Sequence, residues 1–313
     1  TTREETVRHP GDQELFIPAI AGFQLAGTLT PAGGVTGRAP AVVLVSSSGR
    51  EDRDQRLAGV PIFADLAHAL SQAGFHAVRY DKRGIGRSGG RTESSTLADY
   101  AEDAVSVVEW LRKRRDVDPD RIAVLGYGDG GAMALLAGER EKRIKAIVLL
   151  ASPGQTGREI TLVQQKKALA LTIDTDEAKQ EKIALQQRIM DAVVRGTGWE
   201  GIAPELRQQA DTPWFKSWLL FAPAKVMPKL KQPLLIVTGS LDEEFPLDQA
   251  DWLESLGHSR KKLPAGATQK IIVPGVNHFL AAPSLGGPAA VTVSPAILSS
   301  VADWLKHTLP PKR

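Results

Sequence analysis

Apolar runs rich in valine, isoleucine and leucine alternate along this chain with longer stretches of helical period. The runs "AVVLVSS", "HAVRYD", "RIAVLGY", "KAIVLLAS", "PLLIVTG" and "KIIVPG" are the candidate strands. Their near-continuous hydrophobicity is that of parallel strands covered on both faces. Parallel neighbours need helical crossovers, and the spacing predicts helices over 61–73, 96–113, 130–140, 246–256 and 294–309. Thr96, with Asp99 three residues on, supplies a helix start. Before this pattern, "ELFIPA" and "FQLAGTL" flank Gly22 and read as an antiparallel entry hairpin. The class that follows is α/β, with a mostly parallel central sheet and helices on both faces.

The strands "KAIVLLAS" and "PLLIVTG" lie too far apart for a single crossover, and the sequence between them is too ordered in pattern for a loop. An inserted helical cap over 153–231 is therefore expected, with the core formed by 1–152 and 232–313. Within the insertion, 174–195 places Ile183, Leu185, Ile189 and Val193 on one helix face. Trp199, Trp214, Phe215, Trp218 and Phe221 follow closely. These aromatics are candidates for a surface that receives an apolar substrate group; the alternative is that they fasten the cap to the core.

Composition narrows the partners. With 42% hydrophobic and 24% charged residues, the 313-residue chain is that of a soluble globular protein, and a formal charge of +3 without basic runs points away from nucleic acid. The absence of cysteine removes disulfides, thiolate metal sites and a thiol nucleophile. His9, His68, His76, His258 and His307 show no ligand spacing, so neither metal nor cofactor is expected. No apolar stretch is long enough to span a membrane. The expected location is cytoplasmic, or exported after removal of a signal peptide.

The chemistry concentrates at "LGYGDGG", Leu125–Gly131, directly after an apolar run and before the helical "GGAMALLAG". A nucleophile elbow reverses a strand into a helix so sharply that the residues two before and two after its apex must be small. Gly126 and Gly130 meet that demand if Gly128 is the apex. Moving the apex to Asp129 would put bulky Tyr127 two residues before it, so that register is rejected. Gly126, Gly128 and Gly131 also match a dinucleotide loop, but earlier strands precede it and no acidic residue ends the next strand.

"YDKRGIGRSGG" from Tyr80, the elbow, "TGSLDEEFP" from Thr238 and "PGVNHFL" from Pro274 together resemble the α/β-hydrolase superfamily, in particular bacterial esterases and serine-aminopeptidase-like hydrolases with a helical cap. The resemblance covers nearly the whole chain. In such relatives the elbow usually reads G-H-S-x-G-G, whereas here Tyr127 and Gly128 replace histidine and serine. The resemblance implies an α/β-hydrolase fold, Asp242 as the acid that orients a histidine (with Glu243 and Glu244 as rivals) and His278 as the general base. It also implies an oxyanion hole formed by backbone N–H groups of Ser48, or its neighbour Ser47, and of Asp129. Ser46, Ser47 and Ser48 lie where a substitute nucleophile could stand, although serines at strand ends more often bond nearby backbone. The "DKRGIGRS" segment reads as architectural, with tight turns and local charge pairs.

Glycine has no atom to form an acyl-enzyme, so the ordinary serine mechanism is not expected. Three possibilities follow: a carboxylic-ester hydrolase whose nucleophile position is vacant, a binding or regulatory pseudoenzyme, and a hydrolase or lyase in which His278 activates water or substrate directly. The expected ligand is a small apolar or aromatic ester, with Tyr127, Trp199, Trp214, Phe215 and Trp218 as its candidate contacts.

Overall fold

In the strand Ala39–Val45, alternate residues serve different cores: Ala41, Val43 and Val45 pack on one face of the sheet, while Val42 and Leu44 pack on the other. This two-sided burial explains the unbroken apolar run, because a strand with helices on both faces has no polar side. The computed structural model describes residues 6–49, 52–282 and 292–310. In chain order, β1 (Gln13–Pro18), β2 (Gln24–Thr30) and β3 (Ala39–Val45) are followed by the short pair β4 (Arg56–Leu57) and β5 (Val60–Pro61), helix α1 (Ile62–Gln72) and β6 (His76–Tyr80). Next come α2 (Leu97–Arg112), β7 (Val117–Tyr127), α3 (Gly130–Arg140) and β8 (Ile144–Leu150).

The main sheet has eight strands in the order β1-β2-β6-β3-β7-β8, completed by β9 (Leu234–Leu241) and β10 (Thr268–Asn277). β1 and β2 form the expected antiparallel hairpin, β2 pairs antiparallel with β6, and the remaining neighbours are parallel. Helices α2 and α3 pack on one face of the sheet, with α9 (Leu247–His258) beside them; α1 and α10 (Pro295–Thr308) cover the other. The capping box of α2 forms as predicted: the Thr96 side chain accepts from Asp99 N–H, and the Asp99 carboxylate accepts from Thr96 N–H. β7 begins four residues before the run "RIAVLGY", because Val117 pairs with Ala39 ahead of a register shift.

Between β8 and β9 lie α4 (Gly157–Ala170), α5 (Asp176–Arg195), α6 (Pro204–Ala210), α7 (Pro213–Leu220) and α8 (Pro223–Val226). The predicted amphipathic helix is α5, whose Ile189 and Val193 are buried. The aromatics of α7 run as a stack: Trp214 and Trp218 lie 6.1 Å apart between ring centres, and Trp218 and Phe221 lie 6.4 Å apart. Trp218 and Phe221 belong to the core cluster beneath the sheet. The Trp218 indole N–H also donates to Thr161 of α4, and the Leu97 N–H at the start of α2 donates to Ser217. These rings and bonds fasten the segment between β8 and β9 to the core.

Candidate active site

The carboxyl ends of four parallel strands supply the chemical groups, the usual location of a site in an open α/β sheet. β3 delivers the loop Ser46–Gly49, β7 the turn at Gly128, β9 Asp242 and β10 His278. At the turn, Gly128 adopts φ +55°, the left-handed conformation of an elbow apex, and helix α3 begins two residues later. The two flanking glycines are sterically required. A Cβ at Gly126 would lie 2.3 Å from the Gly130 carbonyl oxygen, and one at Gly130 would lie 2.3 Å from that of Val45. Asp129 has right-handed backbone angles, which puts the apex one residue before it.

His278 and Asp242 form a hydrogen-bonded pair. Nδ1 of the imidazole lies 3.1 Å from each carboxylate oxygen, and the Asp242 side chain is wholly buried. Asp242 Oδ1 also accepts the N–H groups of Glu244 and Phe245 at 3.0 and 2.9 Å. Those bonds fix the carboxylate, which in turn holds the imidazole as the Nδ1–H tautomer and leaves Nε2 as the basic atom. The rival acids are engaged elsewhere: exposed Glu243 pairs with Lys167, and Glu244 accepts from Gln164. Phe245 sets its ring edge-on to His278 at 5.5 Å, and Phe279 does so at 6.2 Å.

Tyr127 differs from its expected role. It is completely buried, its hydroxyl donates to the His278 carbonyl at 2.8 Å, and its ring tilts against the imidazole. Its side chain is buried in the core and tied to the His278 backbone, so it supports the loop that carries His278 and lines no substrate surface. Trp218, at 4% exposure, is likewise a core residue. Trp214 and Phe215 pack partly buried against the same cluster, and Trp199 belongs to a separate cluster where Arg207 lies over its ring. The rings in contact with His278 are those of Tyr127, Phe245 and Phe279.

The oxyanion donors also need correction. Ser47 N–H donates to the Gln55 side-chain oxygen at 2.9 Å, which removes it as a donor to a ligand. Among the described residues no acceptor takes the N–H of Ser48 or Asp129, and the Ser48 hydroxyl donates to the Asp129 carboxylate, joining the two loops. Burial pushes the Asp129 carboxyl above the ordinary carboxylate range; the Ser48 hydroxyl opposes that shift and Glu244 adds to it. The arginines and aspartate of "DKRGIGRS" make long-range pairs instead of local ones. Asp81 receives Arg53 through three N–H groups at 2.8 to 3.1 Å, and Arg83 grips Asp103 of α2 with two bonds of 2.7 Å. Lys82 of that segment donates to the carbonyl oxygens of Ser47 and Gly49, and Gln55 bonds the Ser47 N–H and hydroxyl, so both belong to the surroundings of the site. Among the described residues no three histidine, aspartate or glutamate side chains converge as a metal would require.

Comparison with known proteins agrees with this fold. The family model described as serine aminopeptidase, S33 matches residues 59–195, which include the elbow and end before Asp242 and His278. Esterase EstD of Thermotoga maritima is 31% identical over 228 residues, 71% of this chain and 51% of that protein, so the chain spans about half the length of this relative. Among solved structures, the α/β hydrolase GrgF from Penicillium sp. sh18 superposes with a TM-score of 0.63 at 21% identity, covering 95% of this chain and 99% of that one. Est1E from Butyrivibrio proteoclasticus, determined with ferulic acid bound, gives 0.58 at 18% identity, covering 94% and 96%. At these identities the two structures are alike in fold.

Proposed function

From the premise that this chain belongs to the α/β-hydrolase superfamily, we propose that it carries a carboxylic-ester-hydrolase type of site whose acyl-enzyme step is blocked at residue 128. One observation supports this above the others: a His278–Asp242 pair is assembled at the same sheet edge as an elbow whose apex is Gly128. In the serine mechanism the histidine takes the apex hydroxyl proton as that oxygen adds to the ester carbonyl. Glycine offers neither oxygen nor proton, and losing a triad nucleophile costs on the order of a million-fold in turnover. The site retains ester binding, with the carbonyl oxygen received by the N–H groups of Ser48 and Asp129. The ligand is a small ester with an apolar or aromatic group, and the insertion over 153–231 serves as the cap.

The intact base favours a second reading, in which His278 Nε2 takes a proton from water as the hydroxide adds to the carbonyl carbon. The tetrahedral intermediate then expels the alcohol, which recovers the proton from the imidazolium, and no covalent enzyme intermediate forms. The test is hydrolysis of short and aromatic nitrophenyl esters by the unaltered chain, Gly128→Ser and His278→Ala. The primary reading expects activity in Gly128→Ser to exceed that of the unaltered chain by about a thousand-fold or more. Activity already present in the unaltered chain and lost in His278→Ala supports the water route. An inactive Gly128→Ser would contradict an ester-hydrolase site altogether.

A further inference from the structure

Three side chains hold the loop Ser46–Gly49, each at a different group. The buried Lys82 ammonium donates to the carbonyl oxygens of Ser47 and Gly49, the latter at 2.8 Å. Gln55, completely buried, takes Ser47 N–H on its oxygen and donates its amide to the Ser47 hydroxyl at 3.0 Å. Asp129 accepts from the Ser48 hydroxyl. Gln55 is itself held in the left-handed region at φ +46°, directly after Arg53, which pairs with Asp81, and Asp54, which pairs with buried Arg79.

In a trans peptide the carbonyl oxygen of one residue and the N–H of the next point in opposite directions. Anchoring the Ser47 oxygen on Lys82 therefore aims the Ser48 N–H away from the lysine. The bond between the Ser48 side chain and Asp129 places that residue beside the elbow. A cation on the carbonyl also polarises the peptide unit, which makes its N–H a stronger donor. Gln55 meanwhile takes the neighbouring N–H, so that Ser47 cannot compete for the same ligand oxygen.

We propose that Lys82 and Gln55 are positioning residues that dedicate the Ser48 N–H, together with that of Asp129, to a negatively charged oxygen on the ligand. This deepens the ester-hydrolase reading and rests on it. It further commits the site to ligands that present or develop an oxyanion, with carboxylate and tetrahedral anions preferred over neutral carbonyls.

Phenylphosphonate, a stable tetrahedral anion on an aromatic ring, is the probe, and benzamide is its neutral counterpart. Titration of the unaltered chain, followed by amide resonances, should move the Ser48 and Asp129 signals and leave Ser47 in place. Lys82→Met and Gln55→Leu should each weaken phenylphosphonate by about tenfold or more, with benzamide changed by less than about threefold and Lys82→Arg largely restoring the anion's affinity. If phenylphosphonate fails to bind, moves Ser47 instead of Ser48, or binds a folded Lys82→Met as tightly as the unaltered chain, the proposal is overturned. The amide titration needs no variant and so decides even where a substitution prevents folding. The two readings fail separately. An inactive Gly128→Ser with phenylphosphonate still seated on Ser48 sinks ester hydrolysis alone, whereas an active Gly128→Ser whose kcat is unchanged by Lys82→Met sinks the positioning role alone.

Discussion

Ser47 and Gly128 share one space. A side chain begun at residue 128 would put its Cβ 3.2 Å from the Ser47 Cβ and 3.9 Å from the Phe245 ring, so the loop must yield by a few tenths of an ångström to admit a serine there. Overlap of this kind costs about 1 kcal/mol or more in a packed region, roughly fivefold in rate if it falls on the reactive geometry. Ser47→Gly combined with Gly128→Ser should therefore hydrolyse nitrophenyl esters about five times faster than Gly128→Ser alone, as kcat on the same ester would show. Equal rates would mean that the loop yields freely. At this scale the sequence is legible where a residue's role is set by its near neighbours. Gly126, Gly128 and Gly130 follow from the turn, whereas Asp242 and His278 are named by the resemblance, and the loops after β9 and β10 bring them into hydrogen-bond contact. Tyr127 and Lys82 are not legible in this way because their partners lie 151 and 33 to 35 positions away, and the bonds between Ser47 and Gln55 cross a loop without periodicity. The Tyr127 hydroxyl bonds a carbonyl 151 positions away, and nothing next to it in the chain predicts that.

Elements carried by periodicity stand where the apolar runs put them, since strands buried on both faces announce themselves by composition. Legibility falls for short elements. Helices α6, α7 and α8 each open with a proline and run eight residues or fewer, too short for a helical period to show. A connection between elements is tied by His76 at the start of β6: its Nδ1 accepts the Ala32 N–H at 3.1 Å, and its Nε2 reaches the Asp116 carbonyl at 3.2 Å. That arrangement requires a neutral ring, and burial holds the imidazole below its ordinary value of 6.5, with Asp116 opposing the shift. A lowered histidine favours the fold while it stays neutral, and that stabilisation is lost as pH falls below about 6.5 and through the folded value. The melting temperature should accordingly fall between pH 7.5 and 5.5, and less steeply in His76→Gln than in the unaltered chain. Parallel slopes for the two proteins would remove His76 from the acid response.

At the scale of the molecule, the two halves of the site come from sequence on either side of the helices that lie between β8 and β9. Gly128 and the Ser46–Gly49 loop precede them, Asp242 and His278 follow them, and the parallel arrangement of β3, β7, β8, β9 and β10 brings their carboxyl ends to one edge of the sheet. None of that assembly depends on a side chain at residue 128, so in the proposed reading the base and the oxyanion donors are in place without a nucleophile. Covalent capture tests this directly. A fluorophosphonate forms a stable adduct with a serine activated by a neighbouring base, and intact mass reads it without any knowledge of the substrate. The unaltered chain should remain unmodified, and Gly128→Ser should gain a single adduct that disappears when His278→Ala is added. An adduct on the unaltered chain, mapped to Ser47, Ser48 or any other hydroxyl, would contradict the account by showing that the nucleophile has moved instead of being lost.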